Sequence, residues 1–329
     1  MTRVLSGIQP TGEIHLGNYV GAVQHWANDQ ALHDSFFCVV DLHAVTVELE
    51  PAVLRAKTLE VAAILLAAGL DPAVCTLFVQ SHVHEHAELA WMLECVASVG
   101  QLQRMVQFKD KTAKGGEGAA RVGLFTYPVL QAADILLYDT DFVPVGSDQR
   151  QHLELCRDIA GRFNHLYGDT FAIPDAAIPK VGGLVMDLQD PTRKMSKSRS
   201  SPQGKVLVLE APEAITKKIK RAVTDNEIEV RYDREAKPGV ANLLELLAVA
   251  TGRSPDEVAM GYEQYGPLKA DTAAAVVEFL RPMQQRFSEY ADDPGHVEDV
   301  LAKGAEKAHA VAAGTLARSR EAMGFLARR

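Results

Sequence analysis

Two short runs constrain this chain more than any other feature. Residues 35–41 (S-F-F-C-V-V-D) and 75–80 (C-T-L-F-V-Q) are apolar almost throughout, the pattern of strands buried on both faces. Between them, Pro51 opens a helical pattern over residues 51–68 that Gly69 stops. Ahead of them, residues 3–6 read as a short strand and residues 17–33 as an amphipathic helix. Strand, helix, strand, helix, strand in this order predicts an α/β fold with a parallel sheet. Downstream, a helix over 124–138, with Pro128 near its first turn, precedes a strand at 142–145, a helix at 150–163 and a last strand at 181–188. Residues 85–99 and 101–111 read instead as two successive helices, an insertion and not another crossover.

A chain of 329 residues is long enough for two domains. After residue 212 the pattern becomes helical, as at 242–251 and 272–280, broken by Pro238, Gly252, Pro267 and Pro294. This predicts a second, helical domain followed by a terminal helix at 305–326. The hydrophobic fraction of 47% and charged fraction of 23% are those of an ordinary globular protein, and no apolar run approaches the ~20 residues of a membrane span. The first residues pass straight into a strand, without a signal or transit pattern. Cys38, Cys75, Cys95 and Cys156 lie in apolar surroundings without metal-site spacing, so reduced core thiols, a cytoplasmic location and no membrane contact are expected. A net charge of −9 argues against a nonspecific binder of DNA or other nucleic acid. Lys217, Lys218, Lys220 and Arg221 form either a local basic face or an ordinary charged helix surface.

The chemistry is concentrated in two polar segments. Residues 190–205 (D-P-T-R-K-M-S-K-S-R-S-S-P-Q-G-K) have no periodic apolar residues and read as a mobile surface loop. Lys194 and Lys197, interleaved with Ser196 and Ser198, suit the charge of a triphosphate attacked at its α-phosphorus; the bland alternative is a solvated basic linker. Residues 7–18 (G-I-Q-P-T-G-E-I-H-L-G-N) join a strand through a Gly/Pro turn to a helix start, where backbone N–H groups point at phosphate. No Walker-type G-x-x-x-x-G-K-[ST] occurs, and no G-x-G-x-x-G follows a strand. Together the two segments resemble the signature pair of class I aminoacyl-tRNA synthetases, with His15-Leu16-Gly17-Asn18 at the H-I-G-H position and Lys194-Met195-Ser196-Lys197-Ser198 matching K-M-S-K-S in full. Further blocks, D-L-H-A-V-T at 41–46, A-A-D-I-L-L-Y at 132–138 and V-P-V-G-S-D-Q at 143–149, narrow the resemblance to the bacterial tryptophanyl-tRNA synthetases, over essentially the whole chain.

The resemblance implies a Rossmann-like catalytic domain over residues 1–190, with a helical connective insertion at about 84–120. The mobile loop at 191–205 is then followed by a helical anticodon-binding domain at 206–304 and a C-terminal helix at 305–329 packing back on the catalytic domain. It further implies activation of L-tryptophan by ATP with Mg²⁺, transfer to tRNA(Trp), and a homodimer through residues 85–111. On ATP it places Gln9, Pro10, Thr11, His15, Gly17, Asn18, Gly146, Ser147, Asp148, Val185, Lys194, Met195, Ser196, Lys197 and Ser198, with Gln9, Lys111, Lys194 and Lys197 carrying catalysis. Around tryptophan it places Leu5, Val40, His43, Tyr127, Gln131, Asp134 and Gln149. Leu5 and Gln131 depart from the Phe and Met that relatives often have beside the indole, and Asn18 replaces the motif's final His while keeping a donor.

Three further readings stay open on the residues themselves. Asp134 lies amid Ala132, Ala133, Ile135 and Leu136, and a carboxylate so placed needs a partner, either an internal donor or, by the resemblance, the indole N–H. Asp148 suits a helix N-cap, a ligand contact or both. His82, His84 and His86 alternate in S-H-V-H-E-H, but a helix start there scatters them, so a solvated turn is expected over a metal site. The rival functions are a tyrosyl-tRNA synthetase, whose phenol a carboxylate also accepts from, a nucleotidyltransferase with similar H-x-G-H chemistry but no anticodon domain, and a tRNA-binding paralogue with a dead site.

Overall fold

The structure, a computed structural model of the chain, describes residues 1–106, 108, 121–144, 149–177, 185–197 and 200–327. Strands β1 (Arg3–Ile8), β2 (Asp34–Val39), β3 (Thr76–Val79), β4 (Phe142–Pro144) and β5 (Asp175–Ala177) form one parallel sheet in the order β3-β2-β1-β4-β5. The order reverses between β1 and β4, and the crevice beyond their C-terminal ends is where such sheets take ligands.

Between β1 and β2 runs α1, a continuous helix of Leu16–Asn18, a π turn at Tyr19–Val23 and Gln24–Asp29. Next come α2 (Asp41–Ala44) and α3 (Pro51–Ala67), the latter stopped at Gly69, whose φ of 109° is open to glycine and costly for other residues. A 3₁₀ turn (Gln80–His82) then leads into α4 (Glu85–Glu94), α5 (Val99–Gln103), α6 (Val122–Leu136) and α7 (Arg150–Tyr167). Helices α8 (Pro212–Lys220), α9 (Pro238–Thr251), α10 (Pro255–Ala259), α11 (Tyr265–Asp292) and α12 (Pro294–Ala322) complete the described chain.

The alternation along β2 divides the apolar residues between two cores. Phe37 and Val39 join Val20 and Val23 of α1 and Ile64 and Leu65 of α3. Phe36 and Cys38 join Leu89 and Leu93 of α4, Val129 of α6 and Phe163 of α7 on the other face. The first core continues without a break through Met195 and Val206 into Leu243, Leu247 and Leu280 of α9 and α11, so the helices after residue 212 share one apolar interior with α1 and α3. Their hydrophobic spacing is thus explained by burial against the sheet's helices as well as against each other.

The structure corrects several sequence expectations. β5 is a strand that D-A-A does not announce, since it is short and barely apolar; register with Phe142, Val143 and Pro144 makes it. Of the strand expected at 181–188, the described part lies outside the sheet, and Met186 makes only an isolated antiparallel bridge to Lys194. Pro128 stands inside α6 and not in its first turn. Cys95 is exposed at the end of α4, while Cys38, Cys75 and Cys156 are buried, and all four are free. No helix among the described residues is long and apolar enough to cross a membrane.

Helix α12 covers the open edge of the sheet at β3, the protection an edge strand needs. Its Gly304 lies so close that an added Cβ would fall 1.8 Å from the Leu77 carbonyl oxygen. Lys307 Nζ donates to Pro72 O at 3.0 Å and Arg318 pairs with Asp139 at 2.8 Å, fixing the same helix at two further points. Gly304→Ala should therefore destabilise by roughly 1–3 kcal/mol or more through overpacking. Gly314→Ala, on the exposed side of α12 with nothing within 4 Å, should be neutral or gain up to about 1 kcal/mol of helix propensity. Urea melts of the two variants check the contrast; equal effects would mean that α12 does not rest on β3.

Candidate active site

The Gly/Pro turn after β1 reaches its shape through Gly12, whose φ of 62° suits glycine, and closes on α1 through Gly17, where a Cβ would stand 3.1 Å from the His15 ring. His15 caps α1 reciprocally: its Nδ1 accepts from the Asn18 N–H at 3.3 Å, and Asn18 Oδ1 accepts from the His15 N–H at 3.3 Å. An Nδ1 that accepts leaves the ring proton of a neutral imidazole on Nε2, as a donor.

Backbone bonds bring the lysine segment to this turn. The Leu16 N–H donates to Val206 O at 2.8 Å and the Val208 N–H to Ile14 O at 3.0 Å. The Met195 N–H donates to Val185 O at 3.0 Å, and the Met195 side chain is buried in the core shared by α1 and α3. Lys197 Nζ donates to the carbonyls of Gln9 at 3.2 Å and Thr11 at 3.0 Å, and Lys205 Nζ to Lys197 O at 3.1 Å. The loop is thus seated on the turn through its backbone, through Met195 and through Lys197.

The result is a strongly positive place. Burial, reinforced by the charges of Lys197, Lys205 and Lys194, lowers His15 from 6.5 to about 4. Burial and the neighbouring Lys57, opposed by Glu60, lower Lys197 from 10.5 to about 8. Burial is the first cause of both shifts and neighbouring lysines the second, and an anion bound at the turn would oppose the lysine contribution.

A second cluster surrounds Asp134 on α6, which is 5% exposed. Oδ1 accepts from Gln80 Nε2 at 2.6 Å and from His86 Nδ1 at 2.6 Å, and Oδ2 accepts from His43 Nε2 at 2.7 Å. His86 Nε2 lies 2.8 Å from the Tyr138 hydroxyl, and Gln80 Oε1 accepts the Leu42 N–H at 3.1 Å. Burial alone would raise the Asp134 pKa, but the charge and hydrogen bond of His43, with the hydrogen bond of His86, hold it well below the carboxylate range. Three donors leave Oδ2 one acceptor position, since a carboxylate offers about four. Tyr127 sets its ring edge-on to His43 at 6.3 Å, burial raises its hydroxyl, and that hydroxyl lies 2.8 Å from His152 Nε2. Gln131 Nε2 reaches Gln149 Oε1 at 3.4 Å. Leu5 on β1 is buried in the core of this face, and Val40, at the end of β2, packs against it.

The residues predicted from sequence therefore fall into two places. Gln9, Pro10, Thr11, His15, Gly17, Asn18, Val185 and Lys194 to Lys197 belong to the turn and the segment seated on it; His43, Tyr127, Gln131, Asp134 and Gln149 stand around the start of α2 and along α6. Lys111, Gly146, Ser147, Asp148 and Ser198 lie outside the described residues. His86 corrects the expectation of a solvated turn: it is fully buried. Its spacing to Leu89 and Leu93 on the inner face of α4 carried that information. Gln80 went unnoticed as a partner because it lies 54 residues from Asp134 in sequence, and Tyr138 because it joins the cluster only through His86.

The family model for class I tRNA synthetases of the W and Y type matches residues 1–281. The chain belongs to this family. It is 56% identical over 327 residues to tryptophan–tRNA ligase 2 of Streptomyces avermitilis, covering 98% of this chain and 97% of that one. Among solved structures, the tryptophanyl-tRNA synthetase of Mycoplasma pneumoniae superposes with a TM-score of 0.91 at 35% identity, covering 99% of this chain and 98% of that chain. That of Campylobacter jejuni, solved with ADP and tryptophan, gives 0.85 at 34% identity over 98% of this chain and 100% of that chain.

In this synthetase, native His15 stays neutral down to about pH 4, whereas in the unfolded chain it takes a proton near 6.5. Its contribution to stability is therefore complete above pH 6.5 and is lost as the pH falls toward 4, by at most roughly 3 kcal/mol. His15→Asn, which keeps an acceptor at the cap, should flatten this acid limb in urea melts taken between neutral and acid pH. An unchanged limb would place the titration elsewhere.

Proposed function

We infer that the chain is a tryptophan–tRNA ligase: it joins L-tryptophan to ATP as tryptophanyl-adenylate with release of pyrophosphate, then transfers tryptophan to the 3′ end of tRNA(Trp). The observation that carries this reading is the pairing of a cationic turn at the β1–β4 crevice with a desolvated carboxylate, Asp134, that retains one acceptor position. Full-length relatives named for the same reaction support it.

In the first step the tryptophan carboxylate attacks the α-phosphorus in line, and no protein nucleophile is needed. The protein's work is placement and charge. Gln9, Pro10, Thr11, Gly17 and Asn18 hold the nucleotide at the turn and α1, and the family resemblance adds Gly146, Ser147, Asp148 and Val185 as further nucleotide contacts. His15 offers Nε2–H to a phosphate oxygen. Lys111, Lys194 and Lys197, with Ser196 and Ser198, meet the charge that gathers on the departing pyrophosphate. Lys197 remains mostly cationic below about pH 8. The ammonium groups converging on His15 suit phosphate oxygens and not a metal, so Mg²⁺ would be held by the triphosphate and would neutralise part of its charge.

Tryptophan is recognised by its indole N–H, which donates to the open position of Asp134 Oδ2, while Leu5, Val40, His43, Tyr127, Gln131 and Gln149 border the ring. Phenylalanine brings no donor and leaves that acceptor unpaired, a loss from which discrimination of roughly 10⁴–10⁵ can arise without editing. Because Asp134 also holds Gln80, His43 and His86, Asp134→Ala should lose stability as well as activity, and the informative quantity is a ratio. In ATP–pyrophosphate exchange, tryptophan should fall far more than phenylalanine, narrowing the ratio of their kcat/KM values, with Asp134→Asn milder. Equal factors for both amino acids would make Asp134 purely structural. The same assay with tyrosine separates the tyrosyl reading.

The active species is a homodimer joined at α4 and α5. Trp91 is 66% exposed and Val99 62% exposed, and both stand in this region, while Met92 and Leu93 are consumed by the chain's own core. Light scattering at micromolar concentration should give twice 35.8 kDa; a monomer alone would exclude the dimer.

A further inference from the structure

Glu85 opens α4 with its side chain toward α12 and is 2% exposed. Its Oε1 is met by His309 Nδ1 of α12 at 2.6 Å. Its Oε2 is buried without a hydrogen-bond partner, and the nearest basic atom, His84 Nδ1, stands 3.5 Å away. The two imidazoles face each other across the carboxylate at 5.8 Å between centroids and 35° between planes, and one ligand atom from each of the three residues lies within 4.8 Å of the others. We propose that His84, Glu85 and His309 bind one divalent d-block metal ion, zinc being the ion their donor set suits best.

The geometry carries the proposal in three ways. Ligands at zinc bond lengths of about 2.0–2.2 Å on a tetrahedral centre stand roughly 3.3 Å apart. The 3.5 Å gap between His84 Nδ1 and Glu85 Oε2 already has that size, while the 2.6 Å contact of His309 Nδ1 is with the other oxygen, Oε1, and opens as the ion enters between the carboxylate and the two rings. Two imidazole nitrogens with one carboxylate select zinc and its d-block neighbours over calcium or magnesium, which take oxygen sets. The carboxylate is the buried anchor, whereas the His84 and His309 side chains are 73% and 53% exposed, free to turn inward and leaving the fourth position to water. A bare His309–Glu85 ion pair accounts for one carboxylate oxygen and leaves the other orphaned; a metal ion satisfies both histidines and the carboxylate.

Such an ion fastens α12 to the start of α4, at the residue next to His86 and its bond to Asp134. It thereby adds a metal-dependent clamp to the contacts of Gly304, Lys307 and Arg318. The site lies apart from the turn and the lysine segment, so its test needs no catalytic readout.

The full-length chain, stripped with chelator and dialysed against micromolar zinc chloride, should take up one zinc per chain by elemental analysis and melt at a higher temperature than the stripped protein. Magnesium chloride at the same concentration should leave the melting temperature unchanged. His84→Ala, which removes an exposed ring that makes no hydrogen bond to Glu85, keeps the fold and should weaken zinc binding by about tenfold or more, as should His309→Ala. The proposal is overturned if the wild type takes up no zinc, or if the double variant binds it as tightly as the wild type, which would place the ion elsewhere, for example at exposed Cys95.

Discussion

A single buried carboxylate organises the end of the sheet where the chemistry takes place. Asp134 cannot stay ionised at 5% exposure unless donors replace water. The three it has come from three different elements: His43 from α2 beyond β2, Gln80 from the turn that ends β3, and His86 from the first turn of α4. Each donor is itself fixed. Gln80 accepts the Leu42 N–H and His86 meets Tyr138. Since a half-satisfied buried network is worse than none, the positions of α2, α4 and α6 are coupled through one residue, and the acceptor left on Oδ2 is held in place by bonds that do not involve a ligand. The same carboxylate thus fixes the scaffold and, in the proposed function, presents the atom that recognises the indole N–H.

The opposite situation holds at the turn. There the fold brings positive groups together and buries two of them, and burial with the neighbouring lysines lowers His15 to about 4 and Lys197 to about 8. A surface loop would let such lysines drift apart into water. Here Met195 in the core and the ladder between residues 14–16 and 206–208 keep them together. Core packing therefore supplies the preorganisation on which electrostatic stabilisation of a transition state depends.

What was legible in the sequence depended on how local its cause is. β2 and β3 could be read because their burial is written in consecutive residues, and α3 because Pro51 and Gly69 punctuate it. The family could be read from the turn and the lysine segment, because both signatures are written in consecutive residues. β5 could not, since D-A-A is a strand only through pairing with β4. Nor could the embrace of Asp134, whose donors lie 91, 54 and 48 residues away. Sequence set the internal donor and the indole N–H as alternatives. The coordination of Asp134 makes them compatible, because the internal donors leave one acceptor position unfilled.

The contacts of Lys197 link the two halves of this account. Its ammonium rests on the carbonyls of Gln9 and Thr11, so a cation lies against the carbonyl side of the very turn whose N–H groups would face a phosphate in the proposed function. Carbonyl oxygens carry only partial charge, and desolvation leaves the ammonium less satisfied than it is in water, as its lowered pKa records. A phosphate oxygen brought to the turn is a better partner than either carbonyl and is already within the neighbourhood of the side chain. Transfer of Lys197 from carbonyl to phosphate then needs a rotation of a flexible stem and not a rearrangement of the segment, because Met195 two residues earlier stays anchored in the core. In the proposed function, the charge that answers the pyrophosphate is in this way held beside its point of use, on carbonyl partners that a phosphate oxygen would displace.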